Sequence, residues 1–422
     1  MRQFPHPFPS PSPATLLPTL ATLIDTPPAG EEVLEAHVLL DDAHRARASD
    51  IHLDPFEGGV RLRLRIDGRV VDAATVETGL GHRLINQLKV LAGLNPVPSL
   101  ATSEGSFGWT SSGKGEVDAE ERFLRVTAVK CVAGEKLAVR FLAPPPAFTD
   151  PSALGLGEQG VRGLRRWLDA TGGMLLVAGP TGAGKTTTLY TLLEQLRLTD
   201  SQVVTLEDPV EYELAGINQV QVDPDHGLDF ASGTRSMLRL DPDYVLIGEL
   251  RDPGSAQAAV CVANGGRSLM ATLHSRDAVG VVSTLRQLGL DDAEIGASLG
   301  LVIAQRLVRR LCTACRRLEA VDPEDADWLS AVGAPVPRRA WSAVGCDRCQ
   351  GLGYHGRTGV FELWQPSSDD HGRLLRHADE TELRHGLVER GEHLMLDDGL
   401  AKAESGVTTL REVLRMGAIL AA

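Results

Sequence analysis

Two groups of residues in this chain of 422 have the types and spacing to do chemistry. Gly179-Pro180-Thr181-Gly182-Ala183-Gly184-Lys185-Thr186 fits G-x-x-x-x-G-K-[ST], whose glycines let backbone N–H groups wrap a phosphate at a helix N-terminus. Lys185 is then placed to reach the β- and γ-phosphates of a nucleotide and Thr186 to ligate Mg²⁺, with Thr187 continuing the segment. Cys312-x-x-Cys315 and Cys346-x-x-Cys349, thirty residues apart, supply four thiolates, enough to close a tetrahedral Zn²⁺ site. Four protein ligands leave no open position, so such a metal is structural. A redox dithiol or four ordinary buried cysteines are the competing readings. Gly351 and Gly353 would ease the turn of the second knuckle, and Cys131 and Cys261 read as small packing residues.

Carboxylates cluster at two further places. Tyr244-Val-Leu-Ile-Gly-Glu249 sets an acid at a strand end, where it can act through Mg²⁺ or water. Val203-Val-Thr-Leu-Glu207-Asp208-Pro-Val-Glu211 offers three more, and residue type alone does not choose which of them orients or deprotonates a water. His274, after an apolar run, reads by itself as a structural hydrogen-bonding residue. Arg235 and Arg239 share one face of a helix, and Arg61, Arg63 and Arg65 alternate along a strand.

The elements that must position these groups follow from periodicity. The phosphate loop leaves an apolar strand, Gly173 to Ala178. Strands at 203–206, 244–247 and 268–272 alternate with helical stretches at 187–196, 234–240 and 256–263, after a first helix at 161–168, which predicts a parallel α/β sheet. Upstream, Val33, Leu34, Val38 and Leu39 have helical spacing, and Val60 to Ile66 alternates as a strand. Asp67-Gly68 supplies a type I′ turn, a helix runs from His82 to Leu91, and strands cover 123–129 and 136–142. Pro144 to Pro146 breaks the pattern. The expected organisation is a Pro-rich disordered leader (1–30), an α+β domain (31–146), an α/β core (151–311), a zinc knuckle region (312–363) and a C-terminal helical region (364–422). The last carries no motif and reads as a solvated helical cap.

Composition bounds the function. With 42 basic and 56 acidic residues the formal charge is −14, which argues against a general nucleic-acid coat. No run approaches the ~18 apolar residues that span a bilayer. The prolines of the leader do not suit a signal peptide, and six cysteines are too few for a disulfide scaffold, so a cytoplasmic protein is expected.

The phosphate loop, LEDPVEYEL, LRLDPDYVLIGELRD and ATLHSRDA, in that order, resemble the secretion traffic ATPases of type II secretion and type IV pilus assembly, from SDIHLDP at Ser49 to GRTGVFEL ending at Leu363. The resemblance implies a RecA-like P-loop NTPase core with a PAS-like N-terminal domain, a tetracysteine zinc knuckle and C-terminal helices, using ATP, Mg²⁺ and Zn²⁺. By it Glu207, Asp208 and Glu211 form an acidic box, with Glu211 the favoured water activator. Glu249 becomes the Walker B carboxylate, His274 a sensor of the γ-phosphate, Arg235 and Arg239 complete the site, and Arg61, Arg63 and Arg65 add positive charge. It further implies a homohexamer, peripheral at the cytoplasmic side of an inner membrane, that acts on a membrane platform protein to extrude pilus or pseudopilus subunits. The four cysteines favour assembly or secretion over retraction, and no nucleic acid is expected. The chain departs from the family at Val97 to Ser106, which lacks the usual basic residues, at Arg267 and Ser275-Arg276 of the histidine box, and in having the leader where relatives carry a docking module. A weakly active regulatory or scaffolding paralogue and a DNA-translocating ATPase are the alternatives.

Overall fold

The structure, a computed structural model, describes residues 16–25, 35–111, 121–142, 150–170 and 172–420. It divides into two units. The first comprises the described part of Met1–Pro144 together with Leu311–Arg317 and Ser342–Gly356. Its elements are α1 (Pro18–Asp25), α2 (Glu35–Arg45), β1 (Ala48–Phe56), β2 (Gly59–Ile66), β3 (Arg69–Val76), α3 (Thr78–Leu91), β4 (Ser103–Thr110), β5 (Glu121–Cys131) and β6 (Gly134–Phe141). The strands form one antiparallel sheet in the order β3-β2-β1-β6-β5-β4. Alternation does the sorting: Ile51, Leu53, Leu62, Leu64, Leu137 and Val139 are buried with Leu39, Leu40, Leu84 and Leu88 of the helices. Asp67 (φ 49°) and Gly68 (φ 84°) both take the positive φ that a type I′ hairpin turn demands, as the Asp-Gly pair predicts.

The leader departs from expectation. Residues 1–15 and 26–30 lie outside the described residues, but Leu16, Leu17 and Leu20 are buried in the core of this unit and α1 is a helix. Asp42, itself buried, accepts the amides of Thr19 (2.9 Å) and Leu20 (2.8 Å), satisfying donors that a helix start leaves open. Pro18 sits at the first helical position, where a missing N–H costs nothing, so this proline starts a helix instead of breaking one.

The second unit comprises Pro145–Arg310, Leu318–Trp341 and Arg357–Ala422. Its core sequence runs α4 (Glu158–Leu168), β7 (Gly173–Ala178), α5 (Lys185–Leu196), β8 (Val203–Glu207), β9 (Asn218–Gln221), α6 (Phe230–Met237), β10 (Tyr244–Ile247), α7 (Pro253–Asn264), β11 (Ser268–Leu273), α8 (Gly280–Gln287), α9 (Asp292–Ser298) and β12 (Leu299–Leu311). Then come β13 (Arg317–Ala320), α10 (Pro323–Ala331), β14 (Arg339–Ser342), β15 (Tyr354–Trp364), α11 (Ser368–Leu374), α12 (Glu380–Glu389), α13 (Met395–Glu404) and α14 (Leu410–Leu420). Seven strands make a sheet in the order β15-β12-β7-β11-β10-β8-β9, with β7 to β12 paired in parallel. Met174, Leu176 and Ala178 of β7 pack on one face and Leu175 and Val177 on the other. Burial on both faces explains the unbroken apolar run before the phosphate loop. The fold is α/β.

The boundary drawn at 146 falls close to the division after Pro144, whereas the stretch 312–363 is split between the units, both cysteine pairs grouping with the N-terminal sheet. Nor is the C-terminal region a solvated cap. Leu374, Leu383, Leu387, Met395 and Val413 are buried in the same core as the sheet strands, each contributing about 1.5–3 kcal/mol of apolar burial. Cys131 and Cys261 are exposed, so neither is a packing residue.

Candidate functional site

The phosphate loop joins the C-terminal end of β7 to α5 and lines a cleft of about 600 Å³. Gly184 (φ 86°) caps α5 from the left-handed region, and no side chain caps the helix, so its first amides face the cleft without a side-chain acceptor. A Cβ at Gly184 would also lie 3.3 Å from Gln305 Nε2. Gln305, from β12 and not singled out from the sequence, clamps the loop: its Nε2 donates to Ala183 O (2.7 Å) and its Oε1 accepts from Thr188 (2.7 Å). Lys185 Nζ rests on the carbonyls of Gly179 (2.8 Å) and Pro180 (3.3 Å). Burial pushes the Lys185 pKa down, opposed by the charge of Glu249. Thr181, Gly182, Thr186 and Thr187 line the same cleft. An ammonium, a hydroxyl and open helix amides converging here fit the phosphates and Mg²⁺ of a nucleotide.

Glu249, two residues past β10, forms the opposite wall. His274 Nε2 lies 2.8 Å from its Oε1, and Arg251 Nε donates to its Oε2 at 2.5 Å. Arg251 also donates to Asp208 (2.9 Å) and lies over the Phe230 ring at 5.7 Å. Its own pKa is raised chiefly by the hydrogen bond to Glu249. His274 Nδ1 is 3.2 Å from Gly179 O and 3.4 Å from Lys185 Nζ, so one imidazole touches the phosphate loop and the acidic wall together.

A family profile described as "Type II/IV secretion system protein" matches residues 30–415. The chain belongs to that family. It is 37% identical over 385 residues to the type IV pilus assembly ATPase PilB of Myxococcus xanthus, covering 90% of this chain and 66% of the relative. Against type II secretion system protein E of Dickeya dadantii the identity is 35%, covering 95% and 78%. PilB of Thermus thermophilus is 34% identical, and the chain spans 42% of its length. Among solved structures, the Legionella pneumophila ATPase DotB superposes with a TM-score of 0.67 at 20% identity, covering 94% of this chain and 98% of that one. The pilus retraction motor PilT with bound ADP gives 0.59 at 21%, covering 92% and 97%. At such identities these two establish the fold.

In this member of the secretion system family the acidic box is not uniform. Glu207 is buried and accepts from Tyr190, Thr205 (2.5 Å) and Gln219 (3.2 Å), so its carboxylate is spent on protein donors although it borders the cleft. Burial and then the bond to Glu207 push the Tyr190 pKa up, and Tyr212 stacks on Tyr190 at 4.4 Å. Asp208 is held by Arg251, whereas Glu211 is exposed, lines the cleft and has no hydrogen bond to its carboxylate among the described residues. Arg235 and Arg239 do not line this cleft; both are exposed, on α6 and the turn after it. Arg63 and Arg65 are engaged within their own sheet by Asp54 (2.6 Å) and Asp50 (3.3 Å), and Arg61 lies over Phe56 at 6.0 Å.

The four cysteines come together. Cys312–Cys346, Cys315–Cys349 and Cys346–Cys349 each have Sγ atoms 3.8 Å apart, and all four lie within 4.8 Å of one another. A tetrahedron with Zn–S bonds of about 2.3 Å has edges of about 3.8 Å, so the spacing fits this metal. Amides of Gly345 (3.3 Å) and Gly353 (3.2 Å) point at Cys315 and Cys349 Sγ, the bonds that stabilise thiolates. A Cβ at Gly353 (φ 73°) would stand 2.8 Å from that of Ala343, so the knuckle needs glycine for space as well as φ.

Proposed function

We propose that this chain hydrolyses ATP to power subunit assembly or protein export in a type II secretion or type IV pilus system. It works as a homohexamer at the cytoplasmic side of the inner membrane against a platform protein. The observation that carries this reading is the meeting of Lys185, Glu249, Arg251 and His274 in one cleft of a secretion-family chain. Lys185 exchanges the carbonyls of Gly179 and Pro180 for phosphate oxygens. Thr186 and Glu249 would hold Mg²⁺, which when bound would neutralise charge on the phosphates. Glu211, the cleft carboxylate without a protein donor among the described residues, takes the proton of the attacking water. His274, bridging both walls, registers the loss of the γ-phosphate. Arg235 and Arg239, outside their own cleft, are assigned to contact with a second copy. Zn²⁺ on Cys312, Cys315, Cys346 and Cys349 is structural.

Mg²⁺-dependent phosphate release from ATP, measured for the wild type, Lys185→Ala and Glu249→Gln on size-resolved fractions, tests this. Turnover concentrated in the hexamer and absent from both variants is expected. Tight nucleotide binding without turnover in any fraction would assign the chain to the regulatory paralogue instead.

A further inference from the structure

The loop that carries His274 is gripped from one side by the C-terminal region. Three consecutive residues make the contact. Arg276 pairs with Glu380 of α12 (3.5 Å), Asp277 accepts from Arg384 of α12 (2.6 Å), and the Ala278 amide donates to Glu362 of β15 (2.9 Å). Glu362 carries the grip onward through its other oxygen, which accepts the Met395 amide at the start of α13 (3.0 Å). Asp277 and Glu362 are 3% and 4% exposed, so these two carboxylates sit away from water, where a lost partner is costly. Asp277 also accepts the Gly280 amide (2.9 Å), closing the loop on itself, and Arg306 of β12 donates to Arg276 O (3.3 Å). Burial raises the Glu362 pKa, which fits a carboxyl placed for its two amides rather than for solvent.

The location is what makes this more than packing. Just upstream, His274 has its ring contacts with Glu249, Gly179 and Lys185, and a loop displacement near 1 Å would break them. Glu380 and Arg384 lie four residues apart on α12, so one helix face holds two adjacent loop residues.

We propose that α12 is the positioning element of the catalytic cleft: Arg384, acting through Asp277, sets the loop that holds His274 against Glu249. This rests on the hydrolytic reading above for its consequence in turnover, but not for its consequence in loop order. Arg384 is a positioning residue, since it does not line the nucleotide cleft. A shift of α12 would reach the cleft by this route, so a partner that moved the C-terminal helices would change turnover without touching nucleotide.

The full chain, zinc-loaded, is compared as wild type, Arg384→Ala and Arg384→Lys. Three quantities are read: kcat and KM for ATP, affinity for a fluorescent methylanthraniloyl-ATP, and hydrogen exchange of peptides spanning 272–282, 179–187 and 380–389. For Arg384→Ala a tenfold or greater fall in kcat is expected, with nucleotide affinity within twofold. Exchange should quicken at least tenfold in 272–282 and stay unchanged in the other two peptides. Arg384→Lys, which keeps a cationic donor, should recover most of both effects. Unchanged kcat with a loosened loop overturns the proposal, as does a loss of kcat and affinity together with faster exchange throughout. If the wild type itself shows no turnover, the hydrolytic reading fails, and the exchange data decide alone: unaltered protection of 272–282 in Arg384→Ala overturns the positioning role, and selective loss sustains it.

Discussion

Four carboxylates border the proposed site, and the donors around each set them apart. Glu207 is saturated by Tyr190, Thr205 and Gln219, Asp208 and Glu249 share Arg251, and Glu211 stands open to the cleft. Glu211→Gln should therefore lower kcat about 100-fold, the scale of a lost general base, and leave nucleotide affinity nearly unchanged. Glu207→Gln should instead cost stability, about 1–3 kcal/mol by denaturant titration, because it disturbs a buried set of bonds. For Arg251→Ala a fall of about tenfold in kcat is expected, some 1.4 kcal/mol of barrier, measured at saturating ATP. The phosphate loop was legible because its spacing is its chemistry. Arg251 was not, since an arginine two residues past an acidic strand end has no spacing signature, and Tyr190 is indistinguishable in sequence from any core residue of a helix. Arg235 and Arg239 show the converse: α6 ends at Met237, so only Arg235 lies on it and Arg239 follows on a tighter turn, and their spacing says nothing of which cleft they face.

At the scale of elements, β7, β8, β10 and β11 were legible within a residue or two because central parallel strands are apolar on both faces. Strand β12 was hidden. Gln305, Arg306, Arg309 and Arg310 interrupt its apolar pattern, and only the folded chain shows what they bind. Thr188→Val would orphan the Oε1 of Gln305 and is expected to lower stability by about 1–3 kcal/mol, checked by urea unfolding. Further along β12, Arg309 pairs with Glu412 of α14 at 2.8 Å. Burial alone would raise the Glu412 pKa, but the Arg309 hydrogen bond and charge outweigh it and hold it below the usual value. The sign follows: this pair stabilises the fold fully above the ordinary glutamate range, and the contribution is lost as pH falls through the lowered pKa. Glu412→Gln should cost about 2–4 kcal/mol at pH 7 and flatten the acid limb of the stability profile, read by thermal melts from pH 7 to pH 3. The C-terminal helices were expected, but as a solvated cap, because each is short and offers only a few apolar residues, a stripe too brief to show that one face is buried.

For the whole molecule, local pattern located the Pro run and the cysteine spacing but not their partners. Leu352 packs on the N-terminal core, Gln350 Nε2 donates to Arg45 O (3.5 Å) and Gly356 N to Asp67 (3.1 Å), contacts spanning about three hundred positions of sequence. No pattern read along a chain reports such distances. Among the described residues no helix is long and apolar enough to cross a membrane. One zinc per chain is expected by elemental analysis. Since structural zinc binding is worth on the order of 10 kcal/mol, chelation should lower the melting temperature by more than about 5 °C. The segment between the two cysteine pairs has a topological consequence. Between Cys315 and Cys346 the chain makes an excursion through β13, α10 and β14, and exposed Arg338 and Arg339 offer trypsin a place to cut it. A chain severed there would lose a peptide bond but not its closure, because β15 still lies beside β12 in the sheet and the C-terminal helices remain in the common core. Such a protein would migrate as two fragments in detergent and as one particle in buffer, and a chelator would loosen the cysteine knuckles without parting the two fragments.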